Sequence, residues 1–321
     1  MMAGAAVVAY LLFRIGPRTV WDSIQALRWR LLFVLVVPSA LALILDALGW
    51  RILLCEHDVP LIVVLRARLI GETVNLITPA ASIGGEPLKA HLLRPYVPLT
   101  EGLGSVVVDK STALGGQVLF LLAGLSIGAV ILPLSHPLMR GMSVLLLVET
   151  AAVSGFILVQ ILGVFGGGGR VIVRLGIRRI ERYQAGLNAV DHWLSRFYRD
   201  RRRSMLAATL LHGAAWASGG LEIYLFLVFL NTDASPLMAL VIEAFGSAIK
   251  FVSFAIPASL GALEGGHVAI FGAFGLGGAL GLSYMLIRRL REAVSLAIGL
   301  VWLATLRRPR VAPVAQQEAV Q

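Results

Sequence analysis

The sequence predicts an all-α, polytopic helical membrane protein, and three observations carry this prediction. Of the 321 residues, 58% are hydrophobic and only 14% are charged, and the mean hydropathy is +0.84. A soluble domain carries about 25% charged residues, so this chain has too few charges to cover a soluble surface. The apolar runs are long and continuous, which favours helices over the alternating strands of a β-barrel. These features exclude an ordinary cytosolic enzyme and a disordered protein, and the single Cys55 excludes a disulfide scaffold.

Seven stretches approach the length of about 20 apolar residues that a spanning helix needs. Residues 1–13 are apolar but too short to span alone, and they resemble the end of a first helix. We therefore expect about eight transmembrane helices in a single integral membrane domain, residues 1–321. The last two stretches are separated by almost nothing. The seven stretches are 31–49, 106–132, 141–162, 206–230, 237–256, 264–286 and 288–306.

The charges predict the orientation of the chain. It has 25 arginines, three lysines and 18 acidic residues, a formal net charge of +10. In a membrane protein this excess indicates cytoplasmic loops and anionic lipid heads rather than nucleic acid. Residues 163–203 carry ten arginines and an apolar repeat at helical spacing, so we expect a cytoplasmic, Arg-rich amphipathic loop on the inner leaflet of a bacterial inner membrane. The tail 307–321 is then also cytoplasmic, and the 14–30 loop lies outside despite its four arginines.

Residues 71–94 do not behave like a plain span. They are too polar for a lipid-facing helix and too apolar for a loop, and glycines and prolines interrupt them. Broken backbone at membrane depth survives only where protein or a water-filled cavity satisfies its amides, and in transporters such segments often mark the binding site. The alternative is a surface loop with an ordinary turn. The candidate substrate-binding residues here are Glu72, Asn75, Pro79, Gly84, Gly85, Glu86, Lys89 and Arg94.

Residues 250–267 repeat the pattern of the first broken segment. In each segment a proline is followed seven residues later by a glutamate that adjoins a Gly-Gly pair. We interpret this as an internal duplication whose two broken, or re-entrant, elements face one cavity, although short patterns also match by chance. The predicted topology places both breaks toward the cytoplasm, which favours a parallel repeat. The candidates in this segment are Lys250, Pro257, Glu264, Gly265 and Gly266.

Further charges interrupt the apolar stretches. A charge within a span costs about 3 kcal/mol or more, so it usually faces a cavity or a partner. One interpretation is that these charges pair with each other, for example Glu72 with Lys250, and pin the bundle. The other is that Lys89, Arg94, Lys250, Arg288 and Arg289 contact a lipid phosphate, for which arginine is well suited. The remaining candidates are Asp109, Lys110, Glu243, Arg288 and Arg289.

These residues resemble a known family. The run from Asn75 through Pro79 to Gly84-Gly85-Glu86 and Lys89 is similar to the signature of the lysylphosphatidylglycerol synthase transmembrane region, also described as flippase-like integral membrane proteins. The second segment and Arg289 resemble its second signature, and the resemblance covers roughly residues 30–306. One departure is Pro87, where the family commonly has an apolar residue. The resemblance implies a translocase-like domain without the soluble synthase domain, similar to a stand-alone branch associated with hopanoid biosynthesis.

Three function classes remain. A translocase would move an anionic or modified phospholipid between leaflets, with membrane lipids as its partners. A non-catalytic accessory protein of lipid synthesis, for example of hopanoid synthesis, would instead bind synthesis enzymes or a second copy of itself. It would tolerate neutral substitutions at Glu86, Lys250 or Glu264. A membrane-embedded lipid-modifying enzyme would need a convergent acid-base or metal set, which the scattered histidines do not supply. We therefore expect no enzyme activity, catalytic residue, metal or cofactor.

Overall fold

The computed structural model describes residues 2–54, 56–78, 84–163, 167 and 184–305. This part of the chain consists of helices and connecting segments and contains no strand, so the predicted all-α class is confirmed. Its helices are α1 (Met2–Ile15), α2 (Pro17–Leu27), α3 (Arg30–Leu53), α4 (Leu61–Ile77), α5 (Glu86–Leu92), α6 (Leu99–Ile131), α7 (Pro137–Ile161), α8 (Gln184–Asp200), α9 (Arg202–Phe229), α10 (Pro236–Val252), α11 (Ala262–Ala273) and α12 (Gly278–Thr305).

Three of these helices, α3, α6 and α7, are long and apolar enough to cross a membrane by length and composition. Helices α9 and α12 have 28 residues each but carry charged side chains along their length. The expected total of eight transmembrane helices stays a prediction. The predicted boundary near residue 287 is wrong, because α12 continues through Arg288, whose side chain is buried in protein. The chain instead turns between α11 and α12, where Gly275 and Gly277 adopt φ of 74° and 83°.

Each broken segment is a hairpin of two antiparallel helices. In the first hairpin, α4 and α5, Gly85 lies against the carbonyl of Gly71, and the Lys89 side chain packs over Gly71. In the second, α10 and α11, His267 packs on Gly246, and Gly266 lies against Ile249. The interpretation of 71–94 as a surface loop is therefore wrong. Pro79 lies outside the described residues.

The hairpins belong to two repeats of the same four elements. The N-terminal repeat is α3 to α6, and the C-terminal repeat is α9 to α12. Helix α3 packs along α9, α4 packs against α12, and α6 packs against α10. Each repeat thus places its long last helix on the hairpin of the other repeat. The internal duplication inferred from the sequence has a structural counterpart in this arrangement.

The two repeats run in opposite directions. Near its start, α3 meets the end of α9, where the Arg30 guanidinium lies over the Phe229 ring. Near its end, α3 meets the first half of α9, where Asp46 Oδ1 lies 2.6 Å from His212 Nδ1. Antiparallel α3 and α9 make this an inverted repeat, whose hairpins enter from opposite ends of the bundle. The prediction of a parallel repeat with both breaks toward the cytoplasm is wrong.

Helix α8 marks one end of the bundle, which we call the α8 end, where α3 and α7 finish and α9 begins. Its buried side chains are Val190, Leu194 and Phe197, which belong to the predicted apolar repeat. This stripe packs on the protein rather than on lipid, because Trp193 covers Gly104 of α6 and α8 also contacts α7. Residues 168–183 of the predicted Arg-rich loop and the tail 307–321 lie outside the described residues.

Candidate functional site

The N-terminal cluster comprises Glu72, Glu86, Lys89 and Lys110. Lys89 Nζ donates to Glu72 Oε1 at 2.6 Å and lies 3.2 Å from Glu86 Oε2. Lys110 of α6 reaches Glu86 Oε1 at 3.3 Å. The Lys89 side chain is only 3% exposed, whereas that of Glu72 is 53% exposed. The cluster therefore extends from the interior of the first hairpin to an accessible edge.

Backbone geometry around the first break holds the N-terminal cluster in place. Asn75 Nδ2 donates to Glu86 Oε1 at 3.1 Å, and its Oδ1 accepts from the Gly85 amide at 2.7 Å. Gly85 approaches the Gly71 carbonyl so closely that a Cβ there would overlap it. Asn75 thus fixes both the Glu86 carboxylate and the start of α5. We call the second helix of each hairpin, α5 or α11, its return helix. The Gly-Gly-Glu pattern is needed because only glycine permits this backbone contact.

The C-terminal cluster comprises four acids and three arginines around the second hairpin. Arg288 Nη1 donates to both Glu243 oxygens at 3.1 and 2.9 Å, and both side chains are buried. Arg289 Nε donates to Glu264 Oε1 at 2.8 Å. Glu264 Oε2 also accepts from the Gly261 amide at 2.7 Å, which caps α11. The members are Glu222, Glu243, Glu264, Arg288, Arg289, Arg291 and Glu292, with Arg291 paired to Glu222 and Arg289 to Glu292.

The same ion pair closes both hairpins. In the N-terminal repeat, Glu86 at the start of the return helix pairs with Lys110 of the following long helix. In the C-terminal repeat, Glu264 in the first turn of the return helix pairs with Arg289 of the following long helix. Both repeats therefore contain an acid near the break that pairs with a base on the next long helix. This shared ion pair explains why glutamate recurs beside Gly-Gly in the two segments.

A third group, the axial quartet, joins the two repeats. Arg68 Nη1 lies 2.9 Å from Asp109 Oδ2, and its Nη2 lies 3.4 Å from Asp46 Oδ2. His212 of α9 approaches Asp46 with Nδ1 at 2.6 Å and Asp109 with Nε2 at 3.0 Å. The four side chains form a closed ring in which each acid contacts both bases. Because His212 belongs to the C-terminal repeat, this ring fastens the repeats to each other.

Unpaired polar atoms gather in the C-terminal cluster and beside it. Among the described residues of this neighbourhood, four atoms are buried without a hydrogen-bond partner: Arg288 Nε, Arg289 Nη2, Glu222 Oε1 and His267 Nε2, although Arg289 Nη2 lies 2.8 Å from Glu264 Oε1. His267 Nδ1 contacts the Leu263 carbonyl at 2.9 Å, so its Nε2 is left as an acceptor. Buried polar groups are normally satisfied, and exceptions commonly mark a place for a polar ligand or water. This neighbourhood therefore offers both a donor and acceptors to a polar group.

The family model described as "Lysylphosphatidylglycerol synthase TM region" matches residues 1–299. The chain belongs to this family. A "UPF0104 membrane protein" from Methanothermobacter thermautotrophicus is 23% identical over 311 residues, covering 90% of this chain and 89% of the relative. No solved structure matches the chain. The family resemblance inferred from the two Gly-Gly-Glu segments is therefore confirmed, and it extends to the N-terminal helix.

Eight of the eighteen predicted site residues of this lysylphosphatidylglycerol synthase TM region belong to the two clusters: Glu72, Glu86, Lys89, Lys110, Glu243, Glu264, Arg288 and Arg289. The expected pair of Glu72 with Lys250 is wrong, since Glu72 pairs with Lys89. Asp109 belongs instead to the axial quartet, and exposed Lys250 lies over the Trp216 ring, 5.9 Å from its centroid. No group of three His, Cys, Asp or Glu residues with metal-site geometry occurs in the described ranges.

Five predicted positions have other surroundings. Arg94 is exposed in the loop between α5 and α6, away from the clusters, and Pro257 is exposed at the second break. Gly84 lies against Thr78, and Gly266 lies against Ile249. Gly265 faces open space. The contact of Arg94 with a lipid phosphate stays a prediction.

Sequence reasoning missed Asp46, Arg68 and His212 of the axial quartet, and Glu222 of the C-terminal cluster. Each is an ionisable residue within an otherwise apolar helix, and that signal alone could have identified them. Their partners could not be identified in the same way, because the pairs join residues up to 166 positions apart.

Proposed function

We propose that this protein translocates an anionic or modified phospholipid between the leaflets of a bacterial inner membrane. One observation carries the proposal: two hairpins enter an inverted repeat from opposite ends, and each is held by a cluster of intramembrane charges. Inverted repeats with broken helices at the substrate site are the architecture of many alternating-access carriers. Membership in a lysylphosphatidylglycerol synthase TM family supports a lipid-related role.

The charges suit a phosphate head. Arg288 is held by Glu243 through Nη1 while its Nε has no partner, so this guanidinium retains a donor for an anionic oxygen. Arginine binds phosphate through its planar array of donors. Exposed Lys250 and partly exposed Lys110 extend the basic surface of the two clusters outward.

Movement would occur between the repeats. Gly299 of α12 lies directly against Thr73 of α4, and Gly124 of α6 lies directly against Ala244 of α10. Small residues at these two equivalent contacts allow close helix packing, and they provide smooth surfaces along which one repeat can rock on the other. Each hairpin would then be exposed alternately to its own side of the membrane.

We place the α8 end in the cytoplasm, because the basic residues Arg199, Arg201, Arg202 and Arg203 lie there. A cysteine that replaces exposed Asp233, in the loop between α9 and α10, should react with an impermeant maleimide in intact cells. A cysteine that replaces Asp58, at the α8 end, should react only after the membrane is opened. Native Cys55 is first replaced by serine in both proteins. The reverse labelling pattern would overturn this orientation.

The translocation test is a leaflet-accessibility assay in liposomes that contain one labelled anionic phospholipid. Glu86→Gln and Glu264→Gln are isosteric changes that remove the equivalent ion pairs of the two repeats. Both should abolish flipping at wild-type levels of insertion. The matched control is Asp233→Asn, an exposed loop acid outside the clusters, which should flip lipid as the wild type does.

Two results would overturn the proposal. The first is full flipping by both cluster variants. The second is no flipping by the wild type with any of several anionic, aminoacylated and hopanoid lipids. The second result would favour an accessory role in lipid synthesis.

A further inference from the structure

A carboxyl group outside both repeats is buried without a partner among the described residues. Glu149 lies at the middle of α7, a helix that connects the N-terminal repeat to α8. The residue is completely buried, and neither Oε1 nor Oε2 has a hydrogen-bond partner in the part of the chain that the structure describes. Because α7 has 25 residues, Glu149 lies about 18 Å from either end of the helix. It is therefore as far from the two helix ends as this span allows.

The surroundings of Glu149 are apolar and lie at the edge of the bundle. Most of α7 faces outward, with Leu147 and Val148 exposed beside Glu149. Its narrow buried stripe includes Met142 and Val153 on either side of the glutamate. This stripe packs mainly on α6, and the contacts at its two ends are Met139 on Gly128 and Gln160 on Ser111. Glu149 thus lies on the seam between a peripheral helix and the repeats.

The charged groups on the helices that pack against α7 contact residues other than Glu149. On α6, Asp109 pairs with Arg68 and His212, Lys110 pairs with Glu86, and Glu101 lies near His57. On α10, Glu243 pairs with Arg288, and Lys250 lies over Trp216. On α8, Tyr198 donates to Gln160 at 2.6 Å, Arg199 pairs with Asp200, and Arg196 contacts His192. Asp191 lies close to Gly163, at the α8 end of α7.

We propose that Glu149 is a proton-binding site that couples lipid translocation to a proton gradient. A carboxylate without partners in an apolar setting costs several kcal/mol, so the group in this conformation is a neutral carboxylic acid. It ionises when the α6–α7 seam opens to water, and the O–H bond breaks with the proton passing to that water. When Glu149 is reprotonated from the opposite aqueous phase, one proton has crossed the membrane. No oxidation state changes in this cycle.

This inference rests on the proposed translocation, and it assigns proton binding to Glu149 rather than to an acid of the repeated motif. Glu86 and Glu264 are the acids of the repeated motif, and both are fixed by basic partners. An ion-paired carboxylate already has a counter-charge and gains little from a proton. Glu149 has no such counter-charge among the described residues, and its helix contacts α6 directly. Movement of the N-terminal repeat is therefore transmitted to Glu149 without an intermediate.

The first measurement needs no transport activity. The infrared spectrum of the purified protein should contain the carbonyl stretch of a protonated carboxylic acid at neutral pH, and this band should disappear in Glu149→Gln. Glu264→Gln is the matched control, because removing an ion-paired carboxylate should leave the acid band in place. An unchanged acid band in Glu149→Gln would overturn the inference, as would the absence of any such band from the wild type.

The second measurement tests coupling. Wild-type flipping in liposomes should change with the direction of an imposed pH gradient. Glu149→Gln, which mimics the permanently protonated acid, should lose that response. A Glu149→Gln protein that flips lipid and still responds as the wild type does would overturn the coupling. A wild type that moves no lipid would overturn the proposed function and the coupling with it, whereas the infrared band would still decide whether Glu149 binds a proton.

Discussion

Removing Arg288 should cost more stability than removing Arg288 and Glu243 together. Both side chains are buried, at 5% and 2% exposure, and two hydrogen bonds of 2.9 and 3.1 Å join them. Arg288→Met leaves Glu243 without its counter-charge, and its other hydrogen-bond partner among the described residues is the Tyr284 hydroxyl at 3.5 Å. Breaking a buried pair by removing one partner costs about 3–5 kcal/mol. We therefore expect the free energy of unfolding to fall by about that amount.

The double change Arg288→Met with Glu243→Leu should restore most of the loss. Replacing a buried ion pair by apolar side chains of similar size is often neutral or stabilising, because neither charge then needs to be desolvated. We expect the double variant to lie within about 1 kcal/mol of the wild type. The two changes are thus strongly coupled, with an interaction free energy of several kcal/mol.

The assay is equilibrium unfolding in mixed micelles, in which a denaturing detergent is titrated and helix content is followed by circular dichroism. The same proteins are then compared in the lipid-flipping assay. The double variant should fold as the wild type does but move no labelled lipid, since its phosphate donor is gone. The assignment of this contact as a buried ion pair would be refuted if the double variant lost as much stability as Arg288→Met and Glu243→Leu lose in sum. Normal flipping by the double variant would show that the pair is scaffold, and the substrate site would have to lie elsewhere.

Two further predictions concern backbone contacts. Gly85→Ala places a Cβ so close to the Gly71 carbonyl that the two overlap, and it should lower the free energy of unfolding by about 1–3 kcal/mol or more. Gly265→Ala meets open space and should leave the free energy of unfolding unchanged or raise it by up to about 1 kcal/mol. Unfolding in detergent measures both changes, and equal losses would contradict the hairpin packing. Thr73→Cys with Gly299→Cys, in a cysteine-free background, should form a disulfide under mild oxidation and stop flipping until a reductant is added. Unimpaired flipping by the cross-linked protein would argue against rocking of the repeats.

Local patterns made much of the fold predictable. Long apolar runs predicted α3, α6, α7, α9 and α10 to within a few residues at most ends, because each run is close to or above the length of a spanning helix. The glycine and proline interruptions predicted both breaks, since such residues disturb helical hydrogen bonding. The boundary placed near Arg288 was wrong for a physical reason. A charged residue suggests the end of a spanning helix when its partner is unknown, but it can lie inside the helix when a buried counter-charge pairs with it. Glu243 is that partner, and it lies 45 residues away.

The inverted relation between the repeats could not be read from the spacing of their motifs. The spacing of residues within the motif is the same whether the two repeats run parallel or antiparallel. Their relative direction must then be inferred from the number of membrane spans between them. The count was misleading because each hairpin returns to the end from which it entered, as the antiparallel packing of Gly246 on His267 shows. The charge on 163–203 identified an end of the bundle but not the direction of each copy. Only contacts such as Arg30 with Phe229 settle the direction.

The two clusters have related topology but differ in how their polar atoms are satisfied. In the N-terminal cluster, Glu86 contacts two lysines and an asparagine at once. Among the described residues, the C-terminal cluster and the adjoining His267 hold four buried polar atoms without a hydrogen-bond partner. In an inverted-repeat carrier, the two working states exchange the conformations of the two halves. Under the proposed translocation, the alternative state should open the ion pairs of Glu86 and satisfy the polar atoms around Arg288. Because the same acid-base pair closes both hairpins, opening one is offset by tightening the other. Exchange between the states then needs little net free energy.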